Sequence, residues 1–413
     1  MSDFFDNLET RGDAEREAAQ SAALAAQVAH AQKNAPAYGK LLAGIDATGI
    51  DSRAALSTLP LTRKDDLIEQ QRQHLPFGGM VAIQPPELNR FFASPGPIYE
   101  PGSRREDFWR FARALYAAGF RRGELLHNCF AYHFTPAGAM VESGAHALGC
   151  AVFAAGPGQL EAQVQTIADL RPAGYVGTPS FLKLILDKGD ELGVDLSSLG
   201  KALVSGEYLP QALRDAFAAR GIAVLQCYAT ADIGVIAYES PAKEGLIVDE
   251  GVIVEIVRPG TGDPLPDGEV GELVVTTLTP DYPLIRFATG DLSAILAGTS
   301  RCGRTNRRIK GWMGRADQTA KVRGMFVRPS QVAQVLGQHP EVLKGRLVVE
   351  RVDDADTMTL QCETTGDVPQ QLSDDIVATL RSVCNLRGEV LFVSAGSLAN
   401  DGKVIDDLRP IDV

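Results

Sequence analysis

The stretch from about residue 125 to residue 230 constrains this chain most, because short apolar runs alternate there with amphipathic segments of helical period. Residues 151–155 suit a strand, and Leu160, Val164 and Ile167 recur on one face of the segment that follows. Residues 175–177 form a second short strand-like run, leading into Thr178-Pro179-Ser180, where Thr can cap a helix and Pro fits its first position. Strand-like runs at 201–205 and 222–226 flank a helix predicted over 211–220. This alternation predicts an α/β fold, a parallel or mixed sheet covered by helices.

The pattern differs on either side. Up to about residue 75 the chain is rich in Ala and charge and reads as helices, with Thr62 as a cap ahead of the acidic turn in PLTRKDDLIEQQR. Ser103-Arg-Arg-Glu106 has capping-box spacing, which predicts a helix bearing Phe108, Phe111, Ala112 and Leu115 on one face. After about 245, two strand-like runs at 251–257 and 269–277 are separated by RPGTGDPLPDGE, a turn-rich stretch that predicts antiparallel pairing. The last hundred residues hold strand-like runs at 345–351, 358–363 and 389–393 and an amphipathic helix at 375–383, which predicts a small α+β lobe.

A chain of 413 residues with 45% hydrophobic content fits one large domain plus a small one. Its formal charge of −12 argues against nucleic acid or an anionic membrane surface as partner, since both call for clustered Lys and Arg. The N-terminal residues lack the apolar core of a signal peptide, and no run of roughly 18 apolar residues occurs, so a cytoplasmic protein is expected. The six cysteines, at 129, 150, 227, 302, 362 and 384, are scattered without a C-x-x-C pair and are expected to be reduced and mostly buried.

Four segments carry the chemistry: QCYATADIGVIAYE (226–239), DYPLIRFATGDL (281–292), KGWMGRADQTAKVRGMFVRPSQV (310–332) and ANDGKVIDDLR (399–409). In this order and spacing they resemble the signature segments of phenylacetate–CoA ligases within the adenylate-forming (acyl-CoA synthetase) superfamily. The resemblance runs from near residue 60 onward. It implies a large adenylate-forming domain over 1–314 with mixed sheets covered by helices, a hinge at 315–317, and a small mobile α+β domain over 318–413. It also implies a two-step reaction using ATP, magnesium and CoA: a carboxylate attacks the α-phosphate, then CoA's thiol displaces AMP.

On this resemblance Tyr228 stacks on adenine, Ser205-Gly206-Glu207 forms the adenine-side loop, and Asp291 accepts hydrogen bonds from the ribose diol. Arg315 reaches the ribose or phosphate, and Asp317 is the hinge. Gly324 lines the pantetheine channel, and Lys403 is the catalytic cation of adenylation. Asp232 stands where a magnesium-holding Glu is usual. Tyr132, His133 and Phe134, with Ile233 and Gly234, would line the acyl pocket, whose aromatic walls favour an aromatic acid. A homodimer is a further implication of the family.

The phosphate loop departs from the usual S-S-G-T-T-G-K-P, reading Ser-Pro-Gly-Pro-Ile-Tyr-Glu-Pro over 94–101. Pro95 and Pro97 remove backbone donors, Tyr99 adds bulk, and Glu100 replaces a lysine. A carboxylate about 5 Å from one phosphate charge, at an effective dielectric of about 20, costs roughly 3 kcal/mol. Ser240 and Ser300 stand where relatives carry cysteines beside Cys302, so no zinc site is expected. The residues on the AMP side survive while those on the pyrophosphate side are altered. Three functions follow: an aryl- or acyl-CoA ligase; an acyl-adenylate- or CoA-binding, acyl-transferring homologue that no longer activates acids with ATP; and a non-catalytic subunit.

Overall fold

The computed structural model describes residues 3–258, 262–316, 319–352, 355–365, 369–398 and 404–409. The chain is mixed α/β and divides into two compact units, Met1–Met313 and Gly314–Val413. Among the described residues no helix is long and apolar enough to cross a membrane.

In the first unit a nine-stranded sheet runs, in spatial order, Ile295–Leu296, Arg308–Ile309, Leu246–Val248, Gly234–Glu239, Ala223–Thr230, Lys201–Val204, Gly174–Gly177, Leu125–Asn128 and Ala151–Ala154. The five strands from Ala223–Thr230 to Ala151–Ala154 are parallel, and helices supply the crossovers between them. Helix Pro179–Leu192 begins as its sequence predicts, with Thr178 accepting from the Phe181 N–H. Its Leu182, Ile185 and Leu186 are buried with Val164 and Ile167 of the preceding helix in one apolar cluster. From Ala223–Thr230 the sheet turns antiparallel, through a hairpin to Gly234–Glu239.

A second sheet orders Thr62–Arg63, Phe287–Ser293, Gly271–Thr277 and Val252–Val257, the last three antiparallel as the turn-rich stretch requires. A separate hairpin pairs Leu88–Ser94 with Ile98–Ser103 and carries the altered phosphate loop.

Two helix starts differ from the sequence reading. Thr62 lies in a strand and gives its hydroxyl proton to the Ile285 carbonyl, so helix Lys64–Gln73 starts without a side-chain cap. Ser103 ends a strand, bonded to the Asp281 carboxylate and accepting from Arg105 N–H, and is not free to cap. The helix there is Phe111–Ala117, and Asp107 accepts from Ala112 N–H in its place. Long-range partners took both hydroxyls.

In the second unit a four-stranded sheet orders Glu389–Ser394, Ala355–Thr364, Lys344–Val352 and Ile405–Asp407. Helices Pro329–Leu336 and Gln370–Cys384 pack on it around Val332, Leu347, Leu360, Ile376 and Leu380. A two-stranded hairpin joins Ala320–Val322 to Met325–Val327 through Arg323 and Gly324, both at positive φ (48° and 83°), as a two-residue turn demands.

Candidate active site

In an open α/β sheet, ligands gather beyond the carboxyl ends of the parallel strands. Three candidate loops leave that edge. Asn128 ends one strand, donates to the Gly138 carbonyl (3.0 Å) and the Tyr132 hydroxyl (2.8 Å), and so fixes the loop that follows. Ser205 leaves the next but one and ties its loop to the neighbouring strand through the Cys227 carbonyl (2.8 Å). Gly206, at φ 83°, lies beside Phe130 and Thr178. Glu207 accepts from the Ser180 N–H (3.3 Å), so its carboxylate serves the N-terminus of helix Pro179–Leu192.

Tyr228 sits near the end of its strand and reaches across to the second sheet. Its hydroxyl donates to Asp291 Oδ2 at 2.6 Å, while Trp312 Nε1 donates to Asp291 Oδ1 at 3.0 Å. A carboxylate has roughly four lone-pair sites, and these two bonds fix the plane and aim of the Asp291 group. Trp312 lies within a quoted motif but had no role there. Its signal was rarity, because the chain has two tryptophans. The other, Trp109, is also at the site: its carbonyl accepts from Val235 N–H (2.9 Å). The Arg110 guanidinium bonds the Ile233 and Val235 carbonyls. Together these hold the tight turn that presents Asp232. Gly234 makes the fit, at φ 85° with space for an added Cβ only 2.7 Å from the Trp109 carbonyl.

The phosphate-loop hairpin stands beside this turn. Glu100, 1% exposed, points inward: its carboxyl accepts from Ser94 N–H (3.2 Å) and Ser94 Oγ–H. Burial, with help from the Asp232 carboxylate, pushes the Glu100 carboxyl up to about 8, against the lowering pull of Lys64 and Ser94. A carboxyl turned inward and pushed toward its neutral form by burial repels phosphate less than an exposed carboxylate would. Lys64, at the start of helix Lys64–Gln73, brings an ammonium to within 2.7 Å of Asp232 Oδ2. Lys64 precedes the loop by some thirty residues and carries no motif of its own, so its place there comes from the fold alone. Asp232 Oδ1 and the Tyr282 hydroxyl are buried without a hydrogen-bond partner, two polar atoms of the kind that a bound group satisfies. Burial, with the Asp232 and Glu100 carboxylates, raises the Tyr282 phenol well above its ordinary range.

The acyl-pocket residues divide. Tyr132 is partly enclosed, and burial, reinforced by Glu142, raises its phenol. Ile233 and Gly234 are buried in the turn. His133 is exposed and Phe134 is 75% exposed, so neither forms an enclosed wall. Ser240 and Ser300 do gather at Cys302. Burial raises that thiol, but hydrogen bonds with Ser240, Ser300 and Arg304 outweigh it and leave the thiol below its ordinary range. Among the described residues no group of three or more His, Cys, Asp and Glu side chains is placed to hold a metal ion.

In the second unit Arg315 lies over the Phe326 ring (5.5 Å), and Gly324 occupies the hairpin tip. Lys403 and Asp317 lie outside the described residues.

Residues 111–279 match the family model described as AMP-binding enzyme. The chain is 34% identical over 389 residues to a phenylacetate–coenzyme A ligase of Thermus thermophilus, covering 90% of this chain and 86% of the relative. It is 31% identical to the enzyme of that name from Escherichia coli, with 98% of each covered. The fold matches a crystal structure of 2-hydroxyisobutyryl-CoA ligase in complex with 2-HIB-AMP and CoA. There the TM-score is 0.86 at 24% identity, covering 99% of this chain and 93% of that one.

Proposed function

Since the chain belongs to the phenylacetate–coenzyme A ligase family, we propose that it joins a small carboxylic acid to CoA by way of an acyl-adenylate. The protein is an AMP-forming acid–CoA ligase. In the first step the acid's carboxylate attacks the α-phosphorus of ATP and pyrophosphate leaves. In the second, the CoA thiol attacks the acyl carbon, loses its proton, and AMP leaves.

The observation that carries this reading is the Asp291 carboxylate, held by Tyr228 and Trp312 yet able to accept from a ribose diol. Tyr228 offers an aromatic face to adenine, beside the loop of Ser205, Gly206 and Glu207. Lys64 supplies the positive charge that the phosphate loop lacks, and Arg315 and Lys403 add two more cations for the α-phosphate and the attacking carboxylate. Asp232 fits a magnesium ion arriving on the triphosphate, because its Oδ1 has no other partner; the ion would neutralise phosphate charge as pyrophosphate departs.

A homologue that binds adenylate without using ATP is not favoured. The charge conflict behind it rested on Glu100, which is buried against Ser94 with Lys64 nearby. We assign the acid to an aromatic class on the partly enclosed Tyr132 ring, the hinge to residues 315–317, and the working state to a cytoplasmic homodimer.

ATP–pyrophosphate exchange over a panel of aromatic and aliphatic acids tests the activity. Exchange with at least one acid, abolished in Lys403→Ala, is the expected result. AMP binding without exchange for any acid would overturn it.

A further inference from the structure

The C-terminal unit contains a joint centred on Asp356, a residue outside all four motif segments. Asp356 lies near the start of strand Ala355–Thr364, with its side chain 9% exposed. Its Oδ1 accepts two hydrogen bonds from Arg351, at 3.0 and 2.7 Å. Its Oδ2 accepts from Arg409 Nη1 (2.8 Å) and from the backbone N–H of Arg323 (3.4 Å), and its carbonyl accepts from Arg323 Nε (2.9 Å). Arg409 spans further. Nη1 also donates to the Lys321 carbonyl (2.7 Å), and Nε to Asp407 Oδ1 (2.7 Å).

These bonds connect two small elements. One is the hairpin Ala320–Val322 to Met325–Val327, a two-stranded piece outside the main sheet whose tip is Arg323-Gly324. Two strands alone are marginal in water, so its tip depends on what anchors it. The other is the three-residue edge strand Ile405–Asp407, paired with Leu347–Val349 and beginning two residues after Lys403 in the chain. A planar guanidinium with several fixed donors suits such a junction, and a lysine, a single flexible ammonium, does not.

We propose that Asp356 and Arg409 are positioning residues that lock the Gly324 hairpin and the strand after Lys403 into one body, so that both half-reactions depend on a joint touching neither substrate. The kinetic side of this rests on the ligase reading.

The test compares Arg409→Ala, Arg409→Lys, Asp356→Asn and the Arg409→Ala/Asp356→Asn double variant. Pyrophosphate exchange follows the first step, and thioester formation from preformed acyl-adenylate follows the second. We expect each single variant, and the double no more than either, to lower kcat of both steps by about tenfold, with KM for ATP little changed and no rescue by lysine. Losses that multiply in the double variant, or a fall in one step alone, would overturn the joint.

Amide hydrogen exchange of residues 320–327 and 405–409 gives a readout free of catalysis. Faster exchange in both segments together in Arg409→Ala supports the proposal, and unchanged exchange refutes it even in a fully active enzyme. Should the wild type activate no acid, the ligase reading fails while the exchange measurement still decides the joint. If Arg409→Ala does not fold, Asp356→Asn, nearly the same shape, carries both measurements.

Discussion

An ammonium 2.7 Å from Asp232, at the mouth of a loop without its own cation, is well placed to trade that carboxylate for phosphate oxygens. Charge-assisted hydrogen bonds of this kind contribute about 1.5–3 kcal/mol. Lys64→Ala should therefore raise KM for ATP by roughly ten- to hundredfold in the exchange assay, with KM for the acid little moved. An unchanged KM for ATP would remove Lys64 from the site. Glu100 makes a different prediction. Its folded-state value, about 8, lies above the ordinary 4.5, so the unfolded chain releases this proton first. The native state therefore loses stability, relative to Glu100→Gln, as pH rises from about 4.5 to about 8. Denaturant unfolding should show the glutamine variant more stable at pH 8 and level with the wild type near pH 4. The opposite slope would mean that Glu100 is ionised in the folded protein.

Elements set where these side chains can go. The turn between Ala223–Thr230 and Gly234–Glu239 presents Asp232 because Gly234 lets the backbone close onto Trp109. Gly234→Ala forces both a left-handed φ on alanine and a clash with a carbonyl, which should cost roughly 1–3 kcal/mol in denaturant unfolding and displace Asp232. Loss of exchange activity should accompany the loss of stability, and a stable, active Gly234→Ala would show that the turn has slack. The sheet strands themselves were legible in the sequence, since their apolar runs and the turn residues between them are short-range signals. The starts of two helices were not. Thr62 and Ser103 have good capping chemistry, but Ile285 and Asp281 claim their hydroxyls, and neither partner is local.

For the whole molecule, the proposed function would divide labour between the two compact units: the first would hold the nucleotide and acid, and the second would bring Lys403 to one step and the Gly324 hairpin to the other. Two variants separate the steps. Lys403→Ala should abolish pyrophosphate exchange while leaving thioester formation from preformed acyl-adenylate. Gly324→Trp, strained at a left-handed φ of 83°, should cut thioester formation much further than exchange, since bulk at the hairpin tip would obstruct the thiol in addition to loosening the joint. Parallel losses in both assays for both variants would mean that the C-terminal unit does not alternate between roles.

The family resemblance singled out Tyr228 and Asp291, each for its own role, while periodicity and turn signals were enough to read an α/β chain with a small C-terminal lobe. They carry that much because strand alternation, helical faces and turn chemistry act over a few residues. The direction of Glu100, the arrival of Lys64 at a carboxylate 168 positions away, and the hold of Trp312 on Asp291 were settled by folding. A side chain's charge and aim depend on neighbours that only the closed chain supplies. Burial beside Asp232 turns a residue that reads as a repulsive glutamate into a neutral acid facing its own loop.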